Sequence, residues 1–288
     1  MGTSAELGPT RDITLPGGRI RYHETGDGAT VVFVHGLLVN ADVWRKVVPA
    51  MAAAGYRCLT PDWPLGAHSI PVPEADLTPA GVADLVADFL AELDLDDVTV
   101  VANDTGGAIT QVLLTRRPQR IGRVVLASVD CYEAFLPQPF TMLSALARIP
   151  GSLRPMTEAL RLRALHRLPM VLGWVAKYPV PPHITDSYLL PSRRSAAIRR
   201  DLRRFLRAAR RRVTLEAATR FGSVDIPVLV VWAREEKLFP IRLAERLVRD
   251  LPRASLEFVD DSYTFLPEDQ PELLTAKILE FTRMHATS

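Results

Sequence analysis

Short runs of almost uninterrupted apolar residues, rich in β-branched side chains, recur along this chain. Four strong runs lie at residues 31–34, 98–102, 123–127 and 228–232, and a weaker one lies at 255–259. Runs that do not alternate with polar residues are typical of parallel strands covered on both faces. Helical patterns separate them, at residues 41–53, 79–92, 105–116, 240–251 and 268–281. This alternation predicts an α/β protein with a mostly parallel central sheet, helices on both faces and ligands beyond the carboxyl ends of the strands.

One long segment does not follow this alternation. Residues 132–219 carry helical patterns and no strand-like run of comparable quality. We therefore predict an α/β core formed by residues 1–131 and 220–288, with a helical cap of residues 132–219 inserted between two strands of the sheet.

Composition excludes several other classes. Hydrophobic residues make up 48% of the 288 residues, and the formal charge of +2 gives no strong attraction to nucleic acid. The two cysteines suggest neither a disulfide framework nor a metal site. Residues 1–18 lack the pattern of a signal peptide, and no apolar run approaches the length of a membrane span. We expect a cytoplasmic monomer or homodimer that acts on a small molecule, away from nucleic acid and membranes.

The sequence VANDTGGA at residues 101–108 is the strongest chemical signal. It joins a buried strand to a helix through small residues, as does a nucleophile elbow, in which a sharp turn holds the reactive side chain above the sheet. Asp104 would stand at the tip, where the positive end of the following helix favours its carboxylate form. The alternative is an ordinary turn in which Asp104 serves as the N-cap of the helix.

A second signal is VHGL at residues 34–37, which follows an earlier strand. A loop at this position supplies one backbone N–H of an oxyanion hole, and the residue after the nucleophile supplies another. We predict these donors to be Leu37 and Thr105. His35 is interpreted as bracing the loop beside the substrate and not as a general base.

These features, together with PDWPLG at 61–66, the segment 232–240 and DQPE at 269–272, resemble the α/β-hydrolase superfamily. More narrowly, the chain is similar to the branch with an aspartate nucleophile, which contains haloalkane dehalogenases and epoxide hydrolases. The resemblance implies no metal or organic cofactor. It places the catalytic acid at Glu236, with Glu235 adjacent, or at Asp130, the position that some dehalogenases use.

The resemblance also implies a histidine where this chain has Thr264, with Tyr263 beside it. The predicted catalytic residues are therefore Asp104, Glu236 and Thr264. A base contributes roughly 10²–10⁴-fold to such reactions, so an ester formed on Asp104 would accumulate without one. Among the other histidines, only His183 is a candidate to lie over the pocket, and it is interpreted as part of a solvated loop.

The groups specific to each reaction are incomplete. Dehalogenases of this branch have tryptophan after the nucleophile, where this chain has Thr105, and no serine stands at the elbow for esterase chemistry. Two cap tyrosines polarise the epoxide in epoxide hydrolases, and Tyr178 and Tyr188 are candidates. We predict that His35, Asp130, Tyr188 and Tyr263 contact the substrate.

Residues 193–212 hold ten arginines, with apolar residues at helical spacing on the other side. The segment is interpreted as a solvated face of a cap helix. The alternative is a landing site for an anionic carrier or a phosphorylated substrate.

Three functions are compatible with these residues. The first is a hydrolase-like enzyme that attacks an epoxide, ester or C–halogen compound with Asp104. The second is a lyase, isomerase or cyclase that uses Asp104 as general acid and base. The third is a binding protein that has kept the pocket and lost the chemistry.

Overall fold

An eight-stranded sheet forms the centre of the computed structural model, which describes residues 4–286. The strand order is β1-β2-β4-β3-β5-β6-β7-β8, and only the pairs β1–β2 and β2–β4 are antiparallel. The strands are β1 Thr10–Leu15, β2 Gly18–Thr25, β3 Ala29–Val34, β4 Tyr56–Pro61, β5 Val98–Asp104, β6 Ile121–Val129, β7 Val228–Ala233 and β8 Ala254–Val259. The first three residues of the N-terminal segment, on which the expectation about a signal peptide partly rests, lie outside the described residues.

Helices alternate with these strands and cover the sheet. They are α1 Val48–Ala53, α2 Pro79–Glu92, α3 Thr105–Arg116, α4 Thr141–Leu146, α5 Leu153–Ala159, α6 Pro182–Arg194, α7 Ala196–Ala208, α8 Arg211–Ala218, α9 Ile241–Asp250, α10 Leu266–Asp269 and α11 Pro271–Met284. The side chains of β5, β6 and β7 are buried along nearly the whole length of each strand. Because successive side chains point to opposite faces of a sheet, both faces must be covered here. The predicted α/β architecture with a mostly parallel sheet is confirmed.

The predictions for α2 and α3 are confirmed to the residue. Thr78 caps α2 by accepting a hydrogen bond from the Gly81 N–H at 3.0 Å, and Pro79 occupies the first helical position. Both choices suit a helix start, because the cap satisfies a free amide and proline has no amide to satisfy. The helix predicted at 41–53 is divided into a short 3₁₀ turn, Ala41–Trp44, and α1.

Strand β4 was absent from the sequence prediction. Its residues, YRCLTP, include Arg57 and Thr60 and form no continuous apolar run. It lies between β2 and β3, pairing antiparallel to one and parallel to the other. The mixed pairing and the polar residues explain why the apolar-run test missed it.

Between β6 and β7 the described chain is helical, with α4 to α8 and short 3₁₀ and π turns. In α7 the apolar residues are buried, while Arg203 donates to the carbonyl of Ala147 at 2.7 Å and Arg204 to that of Pro73 at 2.8 Å. These arginines tie the helix to neighbouring backbone, and the anionic landing site stays a prediction. None of the helices within residues 4–286 is long and apolar enough to cross a membrane.

Helix α3 starts in very close contact with the end of β3. A Cβ atom on Gly106 would lie 2.2 Å from the carbonyl oxygen of Val34 and 2.7 Å from that of His35. Both atoms belong to backbone, which cannot move aside as a flexible side chain can. Glycine is therefore required at this position for α3 to begin directly above the sheet.

We expect Gly106→Ala to destabilise the fold by about 1–3 kcal/mol or more, because the added methyl group must push α3 away from β3. Gly222→Ala is the matched control, since its Cβ would meet no atom within 4 Å and its φ is not positive. We expect that control to change the free energy of unfolding by less than about 0.5 kcal/mol. Urea unfolding of both variants measures the difference, and equal midpoints would contradict the packing argument.

Candidate active site

Asp104 has the backbone conformation of a strained turn. It ends β5 with φ 53° and ψ −132°, and α3 begins at the next residue. A non-glycine residue rarely adopts such angles, and they persist where the surrounding structure enforces them. The side chain makes no capping hydrogen bond to α3, so the N-cap alternative has no support in the geometry. Its carboxylate Oδ2 instead accepts the Leu37 N–H at 3.2 Å.

Two further donors from the next residue reach the same carboxylate. Both the backbone N–H and the hydroxyl of Thr105 lie near this carboxylate and act to lower its pKa. Burial nevertheless has the larger effect and raises this pKa to about 6. The helix terminus favours the carboxylate as expected, but burial disfavours the charged form more strongly than these donors stabilise it.

The Asp104 carboxylate opens into a cavity of about 240 Å³ between the core and the helical segment. Most of the wall consists of leucine, methionine and phenylalanine side chains from both parts of the chain. The polar or titratable side chains in the wall are Asp104, Thr105, Asp130, His166, Thr185 and Tyr188. Such a cavity suits a small apolar molecule that carries one polar reacting group.

Asp130 lies beside Asp104 at the floor of this cavity and is 1% exposed. Its Oδ2 accepts the Thr105 hydroxyl at 2.7 Å, and its Oδ1 accepts the Leu136 N–H at 2.9 Å. Burial, and next the negative charge of Asp104, raise the Asp130 pKa well above its ordinary value. The two carboxyl groups therefore resist being charged together.

The predicted pair Glu236 and Thr264 does form, but neither residue is part of the cavity wall. The Thr264 hydroxyl donates to Glu236 Oε1 at 2.7 Å, and burial raises the Glu236 pKa to about 7. Thr264 has no exposed surface, and the wall nearest to the pair consists of Phe265 and Leu238. Direct catalytic roles for Glu236 and Thr264 thus have no support in the geometry.

Two residues predicted to contact the substrate also lie outside the wall. His35 is completely buried, its Nε2 accepts the Trp63 N–H at 2.8 Å, and burial lowers its pKa to about 4. It is a neutral side chain that braces the loop before Leu37. The Lys237 ammonium nitrogen lies 5.1 Å from the centre of the Tyr263 ring. Tyr263 is likewise absent from the cavity wall.

Of the two candidate cap tyrosines, only Tyr188 reaches the cavity. It extends from α6, is 2% exposed, and has a pKa raised well above its ordinary value by burial. No hydrogen bond joins its hydroxyl to another described residue. Tyr178 is 46% exposed, and its hydroxyl donates to the Asp261 carboxylate on the surface.

One histidine of the cavity wall was missed by the sequence analysis. His183 is exposed and lies outside the cavity wall, whereas His166 is part of it. The Nε2 atom of His166 hydrogen bonds to the carbonyl of Leu160 at 2.7 Å. His166 was missed because it follows no motif, and its position depends on how the cap helices pack.

Comparisons with known proteins agree with this architecture. A family model described as "alpha/beta hydrolase fold" matches residues 29–170. A 2-hydroxy-6-oxononadienedioate/2-hydroxy-6-oxononatrienedioate hydrolase of Cupriavidus pinatubonensis is 29% identical over 268 residues, covering 87% of each chain. A haloalkane dehalogenase of Mesorhizobium japonicum is 35% identical over 137 residues, covering 45% of this chain and 43% of that protein.

Solved structures share the fold over nearly the whole chain. The epoxide hydrolase CorEH superposes with a TM-score of 0.80 at 20% identity, covering 96% of this chain and 99% of that one. A haloalkane dehalogenase described as ancestral gives a TM-score of 0.78 at 20% identity, covering 96% and 100%. From its mostly parallel eight-stranded sheet, the matching family model and these solved structures, we conclude that the chain has the α/β-hydrolase fold.

Proposed function

We propose that this α/β-hydrolase-fold enzyme acts on a small hydrophobic electrophile through Asp104 as nucleophile, and that an epoxide is the class that fits best. One observation carries the proposal. The Asp104 carboxylate, which accepts the Leu37 N–H, faces an apolar cavity whose wall includes Tyr188, and the Tyr188 hydroxyl makes no hydrogen bond to another described residue. Relatives named as hydrolases, one of them a haloalkane dehalogenase, support the general reaction class.

In the proposed first step, an Asp104 carboxylate oxygen attacks a ring carbon of the epoxide and the C–O bond breaks, leaving an ester and an alkoxide. The alkoxide takes its proton from the Tyr188 hydroxyl. A halide leaving group would need no proton but would need donors to hold the anion. The residue after the nucleophile, Thr105, already uses its hydroxyl on Asp130, which favours the epoxide over the haloalkane.

A second candidate function follows from the two neighbouring carboxyl groups. Asp104 and Asp130, joined through the Thr105 hydroxyl and both with raised pKa values, could exchange a proton with a substrate as general acid and base. This chemistry would suit a lyase, isomerase or cyclase. It would form no ester on Asp104 and would add no solvent oxygen to the product.

Intact-protein mass spectrometry after rapid acid quenching distinguishes the two candidates. With 1,2-epoxyhexane, 1-bromohexane and an activated hexanoate ester as probes, we expect the epoxide to add its mass to the peptide that contains Asp104. Asp104→Asn should show no increment, because an amide is not a nucleophile for carbon under these conditions. Epoxide consumption at an equal rate by Asp104→Asn would contradict the proposal, and conversion of another substrate without an adduct would favour the second candidate.

The alkylation rate should depend on the charge of Asp104. Since only the carboxylate attacks and the pKa of Asp104 is raised to about 6, the rate should fall about tenfold per pH unit below about 6 and be constant above it. Single-turnover ester formation measured across this range gives the midpoint. A midpoint at the ordinary aspartate value of 3.8 would show that burial does not control this group.

Tyr188→Phe should slow opening of the epoxide by about 10²-fold or more, because the ring oxygen loses its proton donor. The same variant should alkylate with 1-bromohexane at nearly the parental rate, since bromide leaves without a proton. Tyr178→Phe is the matched control and should leave both rates unchanged. An equal loss with both probes would assign Tyr188 to packing and not to proton donation.

A further inference from the structure

Asp130 is a buried titratable group that the proposed alkylation does not use. Its two carboxyl oxygens are fixed separately, one by the Thr105 hydroxyl and the other by the Leu136 N–H. Its own backbone carbonyl accepts the Gln111 side-chain amide at 2.8 Å, so the main chain is held as well. A carboxyl group held this firmly beside the nucleophile is placed to do chemistry.

The Thr105 hydroxyl lies between the two carboxyl groups. It donates to Asp130 at 2.7 Å and lies near enough to the Asp104 carboxylate to help lower its pKa, while the Thr105 N–H is the second donor of the proposed oxyanion hole. A hydroxyl can donate one proton and accept another at the same time. Thr105 therefore offers a short proton path between Asp130 and the point where a water molecule would attack an Asp104 ester.

We infer that Asp130, acting through the Thr105 hydroxyl, is the base that hydrolyses the ester formed on Asp104, in the place of the missing imidazole. The inference rests on the nucleophilic role proposed for Asp104. It assigns the residue after the nucleophile, Thr105, to proton relay.

The charge of the site changes in the direction that this role requires. In the free enzyme, burial and next the negative charge of Asp104 raise the pKa of Asp130 and so favour its protonated form. Esterification makes Asp104 neutral and removes that repulsion, so the pKa of Asp130 falls. The alkoxide takes a proton from Tyr188, and Tyr188 in turn takes a proton from Asp130. The negative charge therefore ends on Asp130, because it is the strongest acid remaining among these groups.

The second step then balances in protons and bonds. Water adds to the Asp104 acyl carbon while its proton passes through the Thr105 hydroxyl to Asp130. The Leu37 and Thr105 N–H groups hold the resulting oxyanion. The bond between the acyl carbon and the ester oxygen breaks, the departing alkoxide takes the proton from Asp130, and a diol leaves. Asp104 is released as a carboxylic acid, and its proton passes through the Thr105 hydroxyl to Asp130. Asp104 is again a carboxylate and Asp130 is again protonated.

The other candidate bases are less well placed. The Glu236–Thr264 pair lies behind the cavity wall at Phe265 and Leu238. His166 belongs to the cap, and its Nε2 is occupied by the carbonyl of Leu160. Neither is joined by a hydrogen bond to Asp104 or to Thr105 in the described structure.

The test uses 1,2-epoxyhexane in rapid-quench mass spectrometry, which separates ester formation from ester hydrolysis. Asp130→Asn is uncharged and similar in size to the protonated aspartic acid, so ester formation should remain within about tenfold of the parent. Hydrolysis should slow by about 10²–10⁴-fold, and the adduct should accumulate on Asp104. A single turnover in ¹⁸O-labelled water should place the label in the Asp104 carboxylate of the parent enzyme.

Thr105 provides a matched pair that tests the relay without altering charge. Thr105→Val keeps the shape, removes the hydroxyl and should accumulate the ester, whereas Thr105→Ser keeps the hydroxyl and should restore hydrolysis to within a few-fold. A purely structural role would affect ester formation and hydrolysis alike and would not be rescued by serine. If Asp130→Asn fails to fold, this pair decides the question.

Each failure has its own signature. If Asp130→Asn and Thr105→Val form the ester and hydrolyse it at the parental rate, Asp130 is not the base, while Asp104 remains the nucleophile. If no variant forms an ester and Asp104→Asn consumes the epoxide normally, the proposed function fails and the inference fails with it.

Discussion

The close approach of α3 to the end of β3 determines the geometry of the whole site. Because Gly106 presents no Cβ to the Val34 carbonyl, the helix can begin at Thr105, directly after the strained residue Asp104. The first amide of the helix thereby lies beside the Asp104 carboxylate, while the loop after β3 brings the Leu37 amide to the same carboxylate. Both donors are backbone amides of the core, so their positions do not depend on the side chains of the cap.

Burying two carboxyl groups in one apolar cavity without a cation has a predictable electrostatic result. Lysine and arginine are absent from the cavity wall formed by the described residues, so the Asp104 charge is offset by hydrogen-bond donors alone. Burial and mutual repulsion then leave one negative charge for two acids. An imidazole would hold a proton near neutral pH without adding negative charge. Without an imidazole, the proposed reaction relies on the two carboxyl groups themselves. Asp104 and Asp130 then exchange the charged and the protonated state when the Asp104 ester forms and when it is hydrolysed.

The parts of the site that depend on local sequence could be predicted, and those that depend on packing could not. Asp104, Thr105 and Leu37 follow buried strands directly, so the strand pattern places them together at the carboxyl edge of the sheet. Glu236 and Thr264 follow the ends of the neighbouring strands β7 and β8, so their pairing is also a consequence of the strand pattern. Their separation from the cavity depends instead on the packing of Phe265 in the wall. The choice between Tyr188 and Tyr178, or between His166 and His183, depends on how short cap helices pack, which no periodic pattern records.

The segment where the resemblance led us to expect a histidine is used here to hold the cap. The Phe265 N–H donates to the carbonyl of Val175 at 2.8 Å, and Asp269 accepts the N–H groups of Lys177 and Tyr178. Farther along the cap, the Ser187 hydroxyl donates to Asp42 of the core. Ser187 immediately precedes Tyr188 in α6, so this hydrogen bond also restrains the position of the tyrosine. The position of Tyr188 relative to Asp104 therefore depends on these polar contacts between cap and core, because the cavity wall itself is mostly apolar and provides few directional contacts.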